Sequence, residues 1–164
     1  NNSYITIIKE KRTVLSRKRV PLNQNECTAD FRIGVPFEQN LQHSGYLETD
    51  GYQGYNNLPG IRRCSCWAHI RRYFIDAVPK GKQYDYSQPA VQGVQYCNRL
   101  FAIEDSINKK YPGNYEKRKQ LRLEKEKPVL EAFWSWLDQQ NPVRNTRMDK
   151  AVNYVLNRRD TAET

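Results

Sequence analysis

The sequence predicts an α+β or α/β chain in which a short mixed sheet is built first and a run of helices follows. Two features of the pattern say so. Before residue 66 the apolar positions fall in short β-branched or aromatic runs that stop at turn residues such as Asp50-Gly51. After residue 88 they recur at steps of three and four, the spacing of one helix face.

Taken in order, Tyr4 to Ile8 is a first strand and Thr13 to Val20 a second, interrupted by basic residues. Six Lys or Arg against one Glu in the first twenty residues read either as a DNA-contacting edge or as a charged, solvated edge strand. Pro21 to Asn40 is polar and turn-rich, a loop ending in a short helix at Phe37 to Leu41. A strand from Gly45 then stops at Asp50. Asn56-Asn-Leu-Pro-Gly60 makes a loop, Ile61 to Cys66 a buried strand, and Trp67 to Val78 a helix halted by Pro79-Lys-Gly81.

Val91, Val94, Cys97, Leu100 or Phe101, and Ile107 mark an amphipathic helix from Gln88 to Tyr111, ended by Pro112-Gly113. Asn114 caps the next helix, charged over Tyr115 to Lys127 and apolar over Val129 to Leu137, with Pro128 expected to kink or split it. The Glu/Lys/Arg mixture of residues 116–127 reads as a solvated face laced by pairs four apart, with phosphate binding as the alternative. A last helix, Arg147 to Asn157, carries Met148, Ala151, Val152, Val155 and Leu156 on one side.

Composition narrows the function classes. The 164 residues suit one domain with a real core. Lys plus Arg exceed Asp plus Glu by 27 to 18, a net charge of +9 that fits a polyanionic partner such as nucleic acid. Four cysteines, Cys27, Cys64, Cys66 and Cys97, are too irregularly spaced for a secreted disulfide framework, and a reducing cytoplasm fits better. No apolar run approaches the roughly twenty residues needed to span a bilayer, so no membrane partner is expected. The chain opens at Asn1 without a methionine and closes at Thr164 in helical sequence, which reads as a piece of something longer.

Candidate chemistry gathers at one place. Asp50 ends a strand before Gly51, where a carboxylate is free to meet a metal or a substrate, although Asp-Gly is also a plain turn dipeptide. Behind it come the basic residues Arg62, Arg63, His69, Arg71 and Arg72, the side chains that hold phosphates. Cys64-x-Cys66-x-x-His69 carries zinc-ligand residue types, but Cys27, His43 and Cys97 supply no second pair of the usual spacing, which argues against zinc. The bland alternative is two buried thiols of a strand and a histidine just inside a helix. A cysteine nucleophile has no orienting group in view, and no glycine-rich phosphate loop occurs.

The segments Leu47-Glu-Thr-Asp-Gly-Tyr-Gln-Gly-Tyr55 and Cys66-Trp-Ala-His-Ile-Arg-Arg-Tyr-Phe74 closely resemble the transposases of the insertion sequence 66 family. The likeness continues through Leu100-Phe-Ala-Ile-Glu104, Arg118 with Arg122, Pro128-Val-Leu130, Trp136-Leu137 and Ala151-Val-Asn-Tyr-Val-Leu-Asn157. It implies a bacterial DDE transposase with an RNase H-like core and three acids holding two Mg²⁺ ions for phosphodiester cleavage and strand transfer. Such an enzyme is cytoplasmic and nucleoid-associated, acts on transposon ends and target DNA, and works as a homo-oligomer when full length. Asp50 matches the second acid. Trp67, His69 and Arg72 match the Cys-Trp-Ala-His motif region, with packing behind the site or contact to DNA as the implied roles.

Within the 164 residues the other two acids find no match. The third is a Glu of an Asn-Asn-x-x-Glu motif expected beyond the last helix, and Glu163 is not that residue. The first is expected upstream, where Asp30 in the loop is the nearest Asp. Residues 1–78 are therefore expected to form part of an RNase H-like core and 79–164 a helical insertion, the fragment being inactive alone. A non-catalytic basic DNA-binding module and a decayed mobile-element remnant are the alternatives.

Overall fold

The computed structural model describes residues 45–49 and 61–162, with backbone alone for 45–49, 61 and 62. The strands expected at Tyr4 to Ile8 and Thr13 to Val20, the loop and short helix of residues 21–41, and Asp50 lie outside the described residues. Two strands, β1 (Gly45–Thr49) and β2 (Ile61–Ser65), are followed by α1 (Trp67–Ala77), α2 (Pro89–Lys110), α3 (Tyr115–Asp138), α4 (Arg147–Leu156) and a single turn, α5 (Arg159–Ala162). The described residues are thus mostly helical, with a two-stranded sheet where a short mixed one was expected.

β1 and β2 run parallel, in a register that sets Gly45 beside Ile61 and Thr49 beside Ser65. Their C-terminal ends consequently share one edge. Helix α1 starts directly from that edge, with Cys66 as its extended N-terminal flank.

Side-chain chemistry sets the helix ends. Asn114 accepts a hydrogen bond from the Lys117 amide at 3.0 Å, and Gly113, at a φ of 74°, takes the left-handed turn that closes α2. Thr146 accepts from the Asp149 amide at 3.1 Å, while the Asp149 carboxylate takes the Asn145 amide at 2.9 Å. Pro128 does not split α3, which continues unbroken to Asp138. Glu124 and Pro128 are both exposed, so water can serve the carbonyl that the proline leaves without a donor. Burial of Val129, Leu130, Phe133, Trp134 and Leu137 just beyond offsets the cost of the break.

The core is aromatic and centres on Phe133. Its ring lies 5.4 Å from Trp67, 6.2 Å from Phe74, 5.6 Å from Tyr96 and 4.9 Å from Trp134, mostly in tilted or edge-on contacts that suit ring quadrupoles. α1 contributes Trp67, Ile70 and Phe74, which face Cys97, Leu100 and Phe101 of α2 and Ala151, Val152 and Val155 of α4. One core therefore joins α1 to the helices beyond the boundary expected near Val78. On α4 the expected apolar side holds for Ala151, Val152 and Val155, with Met148 partly buried against the same core, whereas Leu156 is exposed.

The contact between α1 and α2 is close enough to exclude a methyl group. A Cβ built on Gly93 would meet the Phe74 ring at 2.5 Å. Gly93→Ala would ordinarily stabilise a helix by about 1 kcal/mol. Here the clash outweighs that gain, and a net destabilisation of about 1–3 kcal/mol is expected by chemical denaturation. Phe133→Ala, which empties the centre of the cluster, is expected to cost about 3–5 kcal/mol in the same measurement.

Candidate functional site

Site geometry begins at the shared strand edge. Ser65 Oγ meets Thr161 Oγ1 at 2.6 Å, and the Trp67 indole donates to the Ala162 carbonyl at 3.1 Å, so α5 is fastened back onto the end of β2. Trp67 is 1% exposed. Its side chain packs against Phe133 and Trp134.

From the same edge α1 carries its polar side outward. Ala68, His69, Arg71, Arg72 and Ile75 line one wall of a cleft of about 580 Å³, and Asn98, Phe101, Ala102 and Asp105 of α2 line the other. Arg71 Nε donates to Asn98 Oδ1 at 2.7 Å, which orients the guanidinium across the cleft. Arg72 is exposed and Arg71 and His69 are half-buried. The structure thus brings together His69, Arg71 and Arg72. Arg63 sits half-buried in β2 and does not line this cleft. The Arg62 side chain and Asp50 lie outside the described residues; by sequence Asp50 follows Thr49, the last residue of β1 at the shared edge.

Three of the thiols lie among the described residues. Cys64 is buried, Cys66 half-buried, and burial pushes the Cys97 thiol up to about 12. Among the described residues no three His, Cys, Asp or Glu side chains gather as metal ligands do. Nor is any described helix long and apolar enough to cross a membrane.

A second polar constellation lies between α2 and α3. Glu104 is buried and receives Arg122 through Nε at 2.8 Å and Nη2 at 2.5 Å, with Asn108 Nδ2 at 2.8 Å and Arg118 at 3.9 Å. Glu126 is 0% exposed and neither of its oxygens meets a donor. The charged run of residues 116–127 is therefore not simply a solvated face, as its composition suggested. Arg122 and Glu126 fall four apart on the stripe that continues into Val129, Leu130 and Phe133, and Glu104 follows Leu100 at the same step. That periodicity was the available signal, and the density of surrounding charge obscured it.

Burial and the neighbouring Glu104 charge push the Glu126 carboxyl up to about 8, whereas Arg122 and Asn108 overcome burial to hold Glu104 below its ordinary value. Below the ordinary 4.5 both folded and unfolded chains keep a proton on Glu126; between 4.5 and about 8 only the folded chain does. The stabilisation from Glu126 is therefore lost as pH rises through that window. Glu126→Gln removes the titration. Relative to the wild type its unfolding midpoint is expected to rise from pH 5 to pH 9, as read by denaturation at a series of pH values.

With this geometry in view, comparison with known proteins is informative. An uncharacterized protein, y4qI, of Sinorhizobium fredii is 30% identical over 132 residues, covering 73% of this chain and 23% of its own length. A second uncharacterized protein of that organism, y4hP, is 26% identical over 149 residues, covering 80% of this chain and 26% of its own. The chain thus spans about a quarter of the length of these curated relatives. No solved structure matches it. Residues 28–164 match the Transposase IS66 family, a span that takes in both strands, the Trp-Ala-His-Ile-Arg-Arg helix and every helix packed behind it, and the chain belongs to that family.

Proposed function

We propose that this chain is the middle of a transposase catalytic domain of RNase H-like type, that Asp50 is one of its metal-binding acids, and that the His69, Arg71 and Arg72 face of α1 contacts DNA. One observation carries the reading. β1 and β2 end side by side, and Thr161 and Ala162 are bonded to Ser65 and Trp67 at that edge. The strand that leads into Asp50 and the segment beyond which the resemblance expects the third acid therefore converge on one place. In open sheets built on parallel strands, sites form outside the C-terminal strand ends.

Mg²⁺ prefers oxygen ligands. At the edge the described residues offer Ser65, whose hydroxyl is engaged by Thr161, and the thiol and indole of Cys66 and Trp67, which suit Mg²⁺ poorly. They do not by themselves make a Mg²⁺ site, and Asp50 is the ligand proposed from this chain. The arginines would neutralise and orient the phosphodiester.

The test is made in a full-length transposase carrying this sequence. Asp50→Asn is expected to lower Mg²⁺-dependent cleavage of transposon-end DNA by at least about a thousand-fold, the scale of several kcal/mol of lost charge stabilisation, while DNA retention in a mobility-shift assay is unchanged. Cleavage surviving the substitution would remove Asp50 from the reaction. The 164-residue chain alone is expected to cleave nothing, since Asp50 is the only acid it contributes to the proposed triad.

A further inference from the structure

The cleft between α1 and α2 does not end at Asp105. A second depression, lined by Ala102, Asp105, Ser106, Lys109 and Lys110, shares Ala102 and Asp105 with the first. Together they form one groove along α2, with Arg71 and Arg72 at one end and Lys109 and Lys110 at the other. From Asn98 to Lys110 at 1.5 Å per residue, its length along α2 is roughly 18 Å.

Its chemistry is one-sided. Four cations, Arg71, Arg72, Lys109 and Lys110, line it against one acid, Asp105. Arg72 and Lys109 are exposed, and neither has a hydrogen bond or ion pair among the described residues, whereas Arg122 and Arg159 elsewhere are engaged by carboxylates. Arg71 is preoriented by Asn98, which lowers the entropy lost when it grips an anion. Three of the lining residues, Ala68, Ala102 and Ser106, are small and let a backbone approach closely.

We infer that this groove is a track for one phosphodiester backbone, with Arg71 and Arg72 holding phosphates at one end and Lys109 and Lys110 holding phosphates at the other. The inference rests on the DNA-handling reading above and extends it to residues of α2 that no sequence motif marked. The backbone can belong to a single strand lying in the groove or to one ridge of a duplex. The phosphate chemistry is the same, and the measurement separates the two.

The purified 164-residue chain is titrated with labelled oligothymidylate and with a random-sequence duplex over a range of salt concentrations. Arg72→Gln combined with Lys109→Gln is expected to flatten the dependence of log binding constant on log salt, because two phosphates are no longer neutralised by the protein. The slope falls in magnitude by about 1.4 on the single strand or about 1.8 on the duplex. A fall confined to one probe assigns the track to that form. Lys125→Gln, an exposed change on α3, controls for net charge. Equal slopes for wild type and double variant on both probes would overturn the inference, as would a fall no larger per charge than that of Lys125→Gln, or no binding by the wild-type chain. None of those results bears on Asp50, whose role is read by cleavage, so failure of the groove and failure of the acid are told apart.

Discussion

Everything described in this chain depends on the seating of α1 against Phe133. α1 is only eleven residues long and too short to be stable alone, so its position comes from the three side chains it buries, Trp67, Ile70 and Phe74. Trp67 and Phe74 both pack edge-on against Phe133 from positions two turns apart, which fixes the helix in rotation as well as in depth. With that stripe inward, His69, Arg71 and Arg72 have no alternative to the cleft wall. The basic face is thus a consequence of aromatic packing, and the absence of a side chain at Gly93 is what lets α2 come near enough to form the opposite wall.

Charge is used in two different ways on the two sides of α2. Toward α3, Glu104 is clasped by Arg122 with Asn108 in support, and Glu126 is kept as a buried carboxyl whose proton is favoured by its surroundings. Such a pair adds little net stability over well-packed apolar residues, but removing one partner would strand the other in the interior. Toward α1, Arg71 is half-buried on Asn98, while Arg72 and Lys109 stay exposed without an ion pair among the described residues. The first arrangement specifies how α2 and α3 meet; the second leaves charge available to a partner.

α5 supplies the remaining constraint. Four residues of helix would not hold themselves, yet Thr161 and Ala162 are tied to Ser65 and Trp67 across nearly a hundred residues of chain. These contacts return the chain to the strand edge from which it left, so the helices behave as an excursion that begins and ends beside β2.

Much of this was legible in the residues. β1, β2 and the four longer helices follow from apolar period and turn chemistry, and Asn114 as a cap follows from its place after Pro112-Gly113. The motif around Asp50 and Trp67 named the family. Other features could not be read locally. Pro128 predicts a break wherever it stands in a helix, and only its exposed position and the burial just beyond it keep α3 whole. Glu126 looks like its charged neighbours until α2 brings Glu104 against it. Likewise Arg72 and Lys109 are separated by 37 positions, and nothing in their spacing places them in one groove. Periodicity and capping act within a few residues, and so the sequence by itself determined the elements and which face of each is apolar. Partnership between faces is decided by how whole helices pack, and so tertiary structure alone decided which charges are buried, which line the cleft and where the chain returns to the sheet.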